Sequence, residues 1–292
     1  MMTTSSEESP PVPHLEPLHY EALVRRELAV DLGTAGDITT NAIVPDDHTA
    51  TAQVIARQPG RVCGLGCGLF AFEALGPVRR QVMRSDGADV AAGTALAEVT
   101  GPARAVLSAE RTALNLIGHL SGIATATQEL VCAVAGAGHA RVVCTRKTTP
   151  GLRRLEKYAV RVGGGSNHRF GLHDAVLIKD NHREIAGGVV PAIGAARAAL
   201  GHLTKLEVEV DTLEELAEAL DAGADVVLLD NMCISDLKQA VAMARGRATT
   251  EASGGITPET IRAVASTGVD IISVGWVTHS TAALDVGLDV TF

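Results

Sequence analysis

From residue 139 onward the chain alternates short apolar runs with helical segments, and this alternation limits the fold more than any other feature. The runs Ala140–Thr145, Ala175–Lys179, Leu206–Val210, Asp225–Asp230, Thr249–Ala252 and Asp270–Val274 read as buried strands. Helix signals stand between them. Thr212 and Glu215 have the spacing of a capping box, in which each residue satisfies the other's free backbone N–H. Ser235 precedes Asp236 and a helical run. Thr257-Pro258-Glu259 reads as an N-cap, a proline at the first helical position and an acid in the first turn. Ala222-Gly223 and Thr267-Gly268 read as helix stops. Strands that alternate with helices pair in parallel, and the helices cover the sheet. The spacing predicts an α/β barrel, and since only six strands are legible it is either incomplete or contains strands the pattern does not reveal.

Polar residues recur at one place in this alternation. Thr145-Arg146-Lys147, Lys179, Glu209, Asp230, Ser253-Gly254-Gly255 and Gly275 all fall at or just past the carboxyl end of a strand. In an α/β barrel that rim carries the chemistry. Glu207, Glu209 and Asp211 alternate with Val208 and Val210, which puts the acids on one face of a strand. Buried acids are costly unless paired or metal-bound. Lys179 or Mg²⁺ would satisfy them, and a structural salt bridge is the plainer alternative. Ser253-Gly254-Gly255-Ile256-Thr257 leads into a helix start, and Ser273-Val274-Gly275 ends the last strand. Exposed backbone N–H groups at such turns suit a phosphate.

The stretch Thr145–His182 concentrates Arg146, Lys147, His168, Arg169 and Lys179. Any one of them alone would read as a solvated charge. A cluster of five suits a small polyanion, since arginine offers a planar fork to carboxylate or phosphate and lysine a point charge. Lys147 is the first lysine of the chain. The formal net charge of -9 argues against general electrostatic binding of nucleic acid.

The first half reads differently. Pro17–Leu32 has the pattern of a helix, Thr51–Ile55 and Arg61–Leu65 of strands, and Gly68–Leu75 of a short helix. Residues 86–111 resemble the Gly-punctuated strands of a carrier domain, but such a domain presents a lysine and none precedes Lys147. A small packing module is the expectation that survives. Ser108 reads as an N-cap. Arg111, Asn115 and His119 follow at i, i+4 and i+8 as a polar stripe, for which a solvated face is the plain alternative. Gly118 and Gly122 would permit close packing. The five cysteines form no disulfide framework, and Cys63–Cys67 lacks a second pair at ligand spacing, so buried thiols are expected. No apolar run reaches membrane-spanning length and the N-terminus lacks a signal-like start, so no membrane role and a cytoplasmic location are expected.

Several motifs together resemble those of the quinolinate phosphoribosyltransferases. They are GDITT (Gly36–Thr40), ERTALNLIGHLSGIAT (Glu110–Thr125), TRKTTPGLR (Thr145–Arg153), GGGSNHRFGLHDAVLIKDNH (Gly163–His182), EVEVD (Glu207–Asp211), LLDN (Leu228–Asn231), SGGI (Ser253–Ile256) and VTHS (Val277–Ser280). Trp276 stands where the family pattern has a small residue. The resemblance implies an incomplete α/β barrel of the type II phosphoribosyltransferase class at 126–283 and an N-terminal α+β open sandwich at 17–125. It also implies a disordered tail at 1–16 and a C-terminal run at 284–292 that returns to the sandwich. It implies a homodimer that uses PRPP, quinolinate and Mg²⁺, and yields nicotinate mononucleotide, pyrophosphate and CO₂. By motif, Thr145, Arg146, Lys147, His168, Arg169 and Lys179 would hold quinolinate and pyrophosphate oxygens. Glu209 and Asp230 would hold ribose hydroxyls and the metal. Ser253, Gly254, Gly255, Val274, Gly275 and Trp276 would cradle the 5′-phosphate, and Arg111 would enter the partner's site. Lys147, Lys179, Glu209 and Asp230 would be catalytic. Three rival readings stand beside this one. They are an aldolase-type barrel with Lys147 or Lys179 as a Schiff base, a phosphoribosyltransferase for another base, and a nucleotide-binding regulator without turnover.

Overall fold

The elements follow one another in two styles, antiparallel strands before residue 103 and parallel strands between residues 141 and 273, with a last strand that returns to the antiparallel sheet. In the computed structural model, which describes residues 14–291, the first part contains α1 (Glu21–Leu32), α2 (Ile38–Ile43), β1 (Thr49–Ala56), β2 (Gly60–Arg61), α3 (Leu65–Leu75), β3 (Arg79–Val82), β4 (Asp89–Val90), β5 (Ala95–Pro102) and α4 (Ala103–Val134). There follow β6 (Arg141–Val143), α5 (Arg153–Val162), β7 (Val176–Ile178), α6 (Asp180–Ala186), α7 (Val189–Ala199), β8 (Leu206–Val210), α8 (Leu213–Asp221) and β9 (Val226–Asp230). The last elements are α9 (Ile234–Ala244), β10 (Thr249–Ser253), α10 (Ile261–Ala265), β11 (Ile271–Ser273) and β12 (Val286–Thr291). Of the expected tail, residues 1–13 lie outside the described residues, and Leu15 within the remainder is buried.

The chain forms two compact units. One comprises the chain to Thr125, Arg154–Gly164 and the chain from Thr281, and the other Ala126–Arg153 and Gly165–Ser280. Residues 154–164 therefore belong with the first unit, although the strands flanking them in sequence belong to the second.

In the first unit an antiparallel sheet has the order β12-β1-β5-β3. β12 pairs with β1 from Thr51↔Thr291 to Ala56↔Val286. Along β1, Ala50, Ala52, Val54 and Ala56 are buried, as expected of a strand with one covered face. Gly118 and Gly122 of α4 lie against the backbone of residues 282–284, where an added methyl would collide with the carbonyls of Leu284 and Ala282. Three local expectations are corrected here. Arg61–Leu65 is not one strand, because β2 ends at Arg61 and Leu65 opens α3. Ser108 is no N-cap, because α4 begins at Ala103 and the good helix formers of 103–107 extend it upstream. Its hydroxyl donates instead to Asp37 Oδ2 at 3.0 Å. Of the polar stripe, Arg111 and Asn115 are exposed, but His119 is half-buried and bonds Glu156 Oε1 at 2.9 Å.

In the second unit six parallel strands have the order β6-β11-β10-β9-β8-β7. β6 and β7 are the edges, so the sheet is open, as an incomplete barrel must be. Val208, Val210, Val227 and Leu229 are buried, as are Leu216, Ala219 and Leu220 of α8 and Leu237 and Ala240 of α9. Burial on both faces is usual for a parallel sheet. The registers Ile178↔Val208, Val210↔Leu229, Asp230↔Ser253, Ala252↔Ile272 and Ser273↔Val143 bring all six carboxyl ends to one rim. The helix starts differ in detail from the sequence pattern. Thr212 Oγ1 accepts from Glu215 N at 3.2 Å, but Glu215 Oε2 accepts from Asp211 N, one residue before the cap. α9 is capped by Cys233 rather than Ser235. Thr257-Pro258-Glu259 forms a turn, and α10 starts only after Thr260.

Candidate active site

At the carboxyl rim of the second unit lies a cavity of ≈ 380 Å³, a size typical of small-molecule sites. Its walls include Thr145, Arg146 and Lys147 after β6, Lys179 after β7, Glu209 on β8, Asp230 on β9, Ser253 on β10 and Ser273 on β11. His168, Arg169, Glu251, Leu177 and Leu228 complete it. His168 and Arg169 arrive by a segment that did not read as a strand. Ser166 bridges Val143 in parallel, and its N–H donates to Val142 O at 2.8 Å, so the chain runs along the β6 edge just before these residues.

Glu207 and Glu209 of β8 and Asp211 just past its end each have a basic neighbour. Glu207 meets His168, Glu209 meets Lys179, and Asp211 meets Arg183 at 2.7 Å. Lys179 Nζ donates to Glu209 Oε2, and Lys179 N–H donates to His182 Nδ1 at 2.9 Å, which fixes the backbone beneath the ammonium. Asp230 Oδ2 accepts from Asn231 Nδ2 at 2.6 Å. Among the described residues, the second oxygen of Glu209 and of Asp230 takes no hydrogen bond. These are hard oxygen donors on neighbouring strands, a set that fits Mg²⁺.

Deeper in the wall, His168 Nε2 lies 3.0 Å from Glu207 Oε2 and 3.6 Å from Glu251 Oε1. His168 Nδ1 accepts the Arg169 N–H at 2.8 Å, so the proton on the ring faces the acids. The ligand atoms of this trio all lie within 4.8 Å of one another. Burial, and then the charge of Glu207, push the Glu251 carboxyl up to about 7, against the opposing effect of His168. Two carboxylates so close in a dry wall hold a proton between them more readily than two charges.

The cations are less well matched. Arg169 Nη1 donates to Ala175 O at 3.0 Å, while its Nε and that of Arg146 are buried with no partner. Burial, and after it Arg146, lowers the pKa of Arg169. Lys147 is exposed at the rim, and its ammonium makes no ion pair among the described residues. Cations crowd each other here, and buried donors wait for an acceptor.

A profile of the quinolinate phosphoribosyl transferase N-terminal domain matches residues 37–121, and that of the C-terminal domain matches residues 123–289. The chain belongs to the quinolinate phosphoribosyltransferase family. It is 46% identical over 273 residues to the nicotinate-nucleotide pyrophosphorylase [carboxylating] of Mycobacterium leprae, covering 91% of this chain and 95% of that protein. It is 43% identical over 275 residues to the probable nicotinate-nucleotide pyrophosphorylase [carboxylating] of Bacillus subtilis, covering 94% of each. The solved structure of the nicotinate-nucleotide pyrophosphorylase from Francisella tularensis superposes with a TM-score of 0.90 at 40% identity, covering 97% of this chain and 100% of that one.

For this quinolinate phosphoribosyltransferase family member, the structure gathers Thr145, Arg146, Lys147, His168, Arg169, Lys179, Glu209, Asp230 and Ser253 around one cavity. Gly254, Gly255, Val274, Gly275 and Trp276 are not among its walls but adjoin them in sequence. Gly254 and Gly255 have φ of +96° and +58°, where glycine is favoured, and a Cβ on Gly254 would strike Asn231. A Cβ on Gly275 would lie 2.9 Å from Lys147 Cδ. Arg111 sits in the other unit, exposed beside Asp31, Asp37 and Glu110 in a separate hollow. Sequence reading left out Glu251 as a wall residue and did not pair Glu207 with His168. Period two from Ser253 puts Glu251 on the same strand face, and that signal was available.

Proposed function

We propose that the rim cavity transfers the phosphoribosyl group of PRPP to quinolinate, with loss of CO₂, giving nicotinate mononucleotide and pyrophosphate in NAD biosynthesis. The observation that carries this reading is the set of under-satisfied cations, Arg146, Lys147 and Arg169, in one cavity with the Lys179–Glu209 pair. Quinolinate brings two ring carboxylates and PRPP brings its phosphates, which are the acceptors these donors lack.

The chemistry requires the pyridine nitrogen to attack C1 of the ribose while the bond to pyrophosphate breaks. Arg146, Lys147 and Arg169 bind the diacid and the departing pyrophosphate, and Thr145 and His168 shape that wall. Glu209 and Asp230 face the sugar, accept from its hydroxyls, and stabilise the positive charge that develops at C1. Lys179 orients Glu209 and adds a cation at the carboxylate end. Mg²⁺, held by Glu209 and Asp230, would neutralise pyrophosphate oxygens when bound. The ring nitrogen becomes a cation in the product of transfer, which makes the adjacent carbon able to carry the electron pair left when CO₂ departs. A proton then fills that position. Ser253, Gly254, Gly255, Val274, Gly275 and Trp276 form the turns around the 5′-phosphate.

Incubation of the protein with quinolinate, PRPP and Mg²⁺ should release CO₂ and pyrophosphate in equal amounts. Trapping of a carbonyl substrate by borohydride, or tight PRPP binding without turnover, would overturn the reading. Arg111 is proposed to serve the partner's cavity in a homodimer, since the family resemblance puts this arginine on quinolinate. Inactive Arg111→Ala and Lys179→Ala dimers should regain activity when mixed, because one cavity of the heterodimer then has neither defect. Heterodimers that form without regaining activity would remove Arg111 from that role.

A further inference from the structure

The phosphate side of the cavity, in the reading above, consists of two turns distant in sequence, 253–256 after β10 and 274–276 after β11. One side chain joins them. Trp276 Nε1 donates to the backbone carbonyl of Ile256 at 3.0 Å. On its other side the first turn is held at its base, where Asn231 N–H donates to Ser253 O at 3.0 Å and Gly254 packs on Asn231. Next along the turn, a Cβ placed on Gly255 would meet nothing within 4 Å. The indole bond therefore fixes the far end of a turn whose middle has no packing neighbour there.

The same short 3-10 segment, Trp276–Thr278, carries a second tie. Thr278 Oγ1 donates to the Lys147 carbonyl at 2.7 Å, with Gly275 O at 3.1 Å. The segment thus bonds both the 253–256 turn and the Lys147 loop. Trp276 itself is half-buried and is not a wall of the cavity. Its effect on a ligand must pass through the backbone that it holds.

We propose that Trp276 is a positioning residue that sets the spacing of the two turns around the phosphate of a phosphorylated sugar, through its bond to Ile256 O. The inference rests on the phosphoribosyl-transfer reading for the identity of the ligand, and on the hydrogen bond alone for the bracing. A small residue at this position has no donor able to reach across to the neighbouring turn, so this chain ties its turns together by a means that a small side chain lacks.

Trp276 is the only tryptophan of the chain, so its emission reports on the surroundings of this one side chain. The full-length protein is titrated with ribose 5-phosphate and, separately, with quinolinate. A saturable change in emission with ribose 5-phosphate and none with quinolinate alone is expected. Trp276→Phe keeps a ring but loses the N–H. Loss of one neutral hydrogen bond should raise KM for PRPP about fivefold while leaving KM for quinolinate and kcat unchanged. A purely structural role would instead lower the melting temperature without that split. An unchanged KM for PRPP in a folded Trp276→Phe protein overturns the proposal, as does emission blind to ribose 5-phosphate in a protein that turns PRPP over. If Trp276→Phe fails to fold, the wild-type titration decides. If quinolinate and PRPP give no turnover but ribose 5-phosphate still shifts the emission, the substrate reading falls and the bracing role stands.

Discussion

Both units bury ionisable side chains, but they treat them differently. In the first unit the half-buried Asp86 carboxylate accepts from Gly64 N–H at 2.9 Å, Leu65 N–H at 3.1 Å and the Tyr158 hydroxyl at 2.9 Å. Glu156 there is fully buried and meets His119. In the second unit, buried atoms of Arg146, Arg169, Arg183, Glu207 and Glu251 have no hydrogen-bond partner. No buried side-chain polar atom of the first unit is in that condition among the described residues. Satisfied burial holds a fold together, whereas unsatisfied burial costs stability and persists where a ligand completes it. Of the five residues, all but Glu207 and Arg183 line the rim cavity directly, and Glu207 touches one that does.

The comparison is open to attack from either side. The largest effect belongs to Lys179→Ala, which removes the ammonium that orients Glu209. We expect kcat/KM to fall by about 100-fold or more, with the melting temperature kept, because a rim residue contributes little to the core. Near-normal turnover, measured by pyrophosphate release, would make the rim pair structural.

Substrate choice comes next. Nicotinate lacks one of the two ring carboxylates, and a charge-assisted contact is worth about 1.5–3 kcal/mol, so its kcat/KM should be lower by about 10- to 150-fold. Equal use of the two acids would mean that the crowded cations are not waiting for a diacid.

The first unit should answer a mutation in stability alone. Gly122→Ala drives a methyl into the Ala282 carbonyl. Overpacking of this kind costs about 1–3 kcal/mol, read as a lower urea midpoint, while kcat/KM of the folded protein stays the same. An altered kcat/KM at unchanged stability would erase the division between a packing unit and a chemical one.

The smallest effect is a pH dependence. The Glu251 carboxyl titrates at about 7 in the folded protein, above its ordinary 4.5, so the folded state holds the proton more tightly. The stability this contributes is complete below pH 4.5 and is lost as pH rises through about 7, with Glu207 and His168 facing the group. Glu251→Gln should flatten the melting temperature across that window and, above it, melt at or above the wild type. Parallel curves for the two proteins would show that the acids of this wall do not share a proton.

How much of this was legible depends on the range of the interaction. Strand and helix runs of the second unit were readable because its parallel strands are mostly short apolar or alternating runs and helices stand between them. The rim was readable for the same reason: parallel pairing puts every carboxyl end on one side, so Lys179, Glu209, Asp230 and Ser253 had to be neighbours. Ser108 was misread because a capping residue type inside a run of helix formers looks like a start. Thr257 was misread because a favourable N-cap pattern does not prevent a turn from intervening.

Local chemistry by itself determined the alternation, the open parallel sheet, the charged rim and the anionic character of what it takes. Tertiary structure alone decided that β12 pairs with β1, more than two hundred residues away, and that residues 154–164 join the first unit. It also decided that His168 turns its proton toward Glu207 and Glu251 and that Trp276 reaches Ile256 O. Periodicity tells which face of an element a side chain occupies. Which element lies opposite that face depends on contacts between distant parts of the chain, and those form only when the whole fold is made.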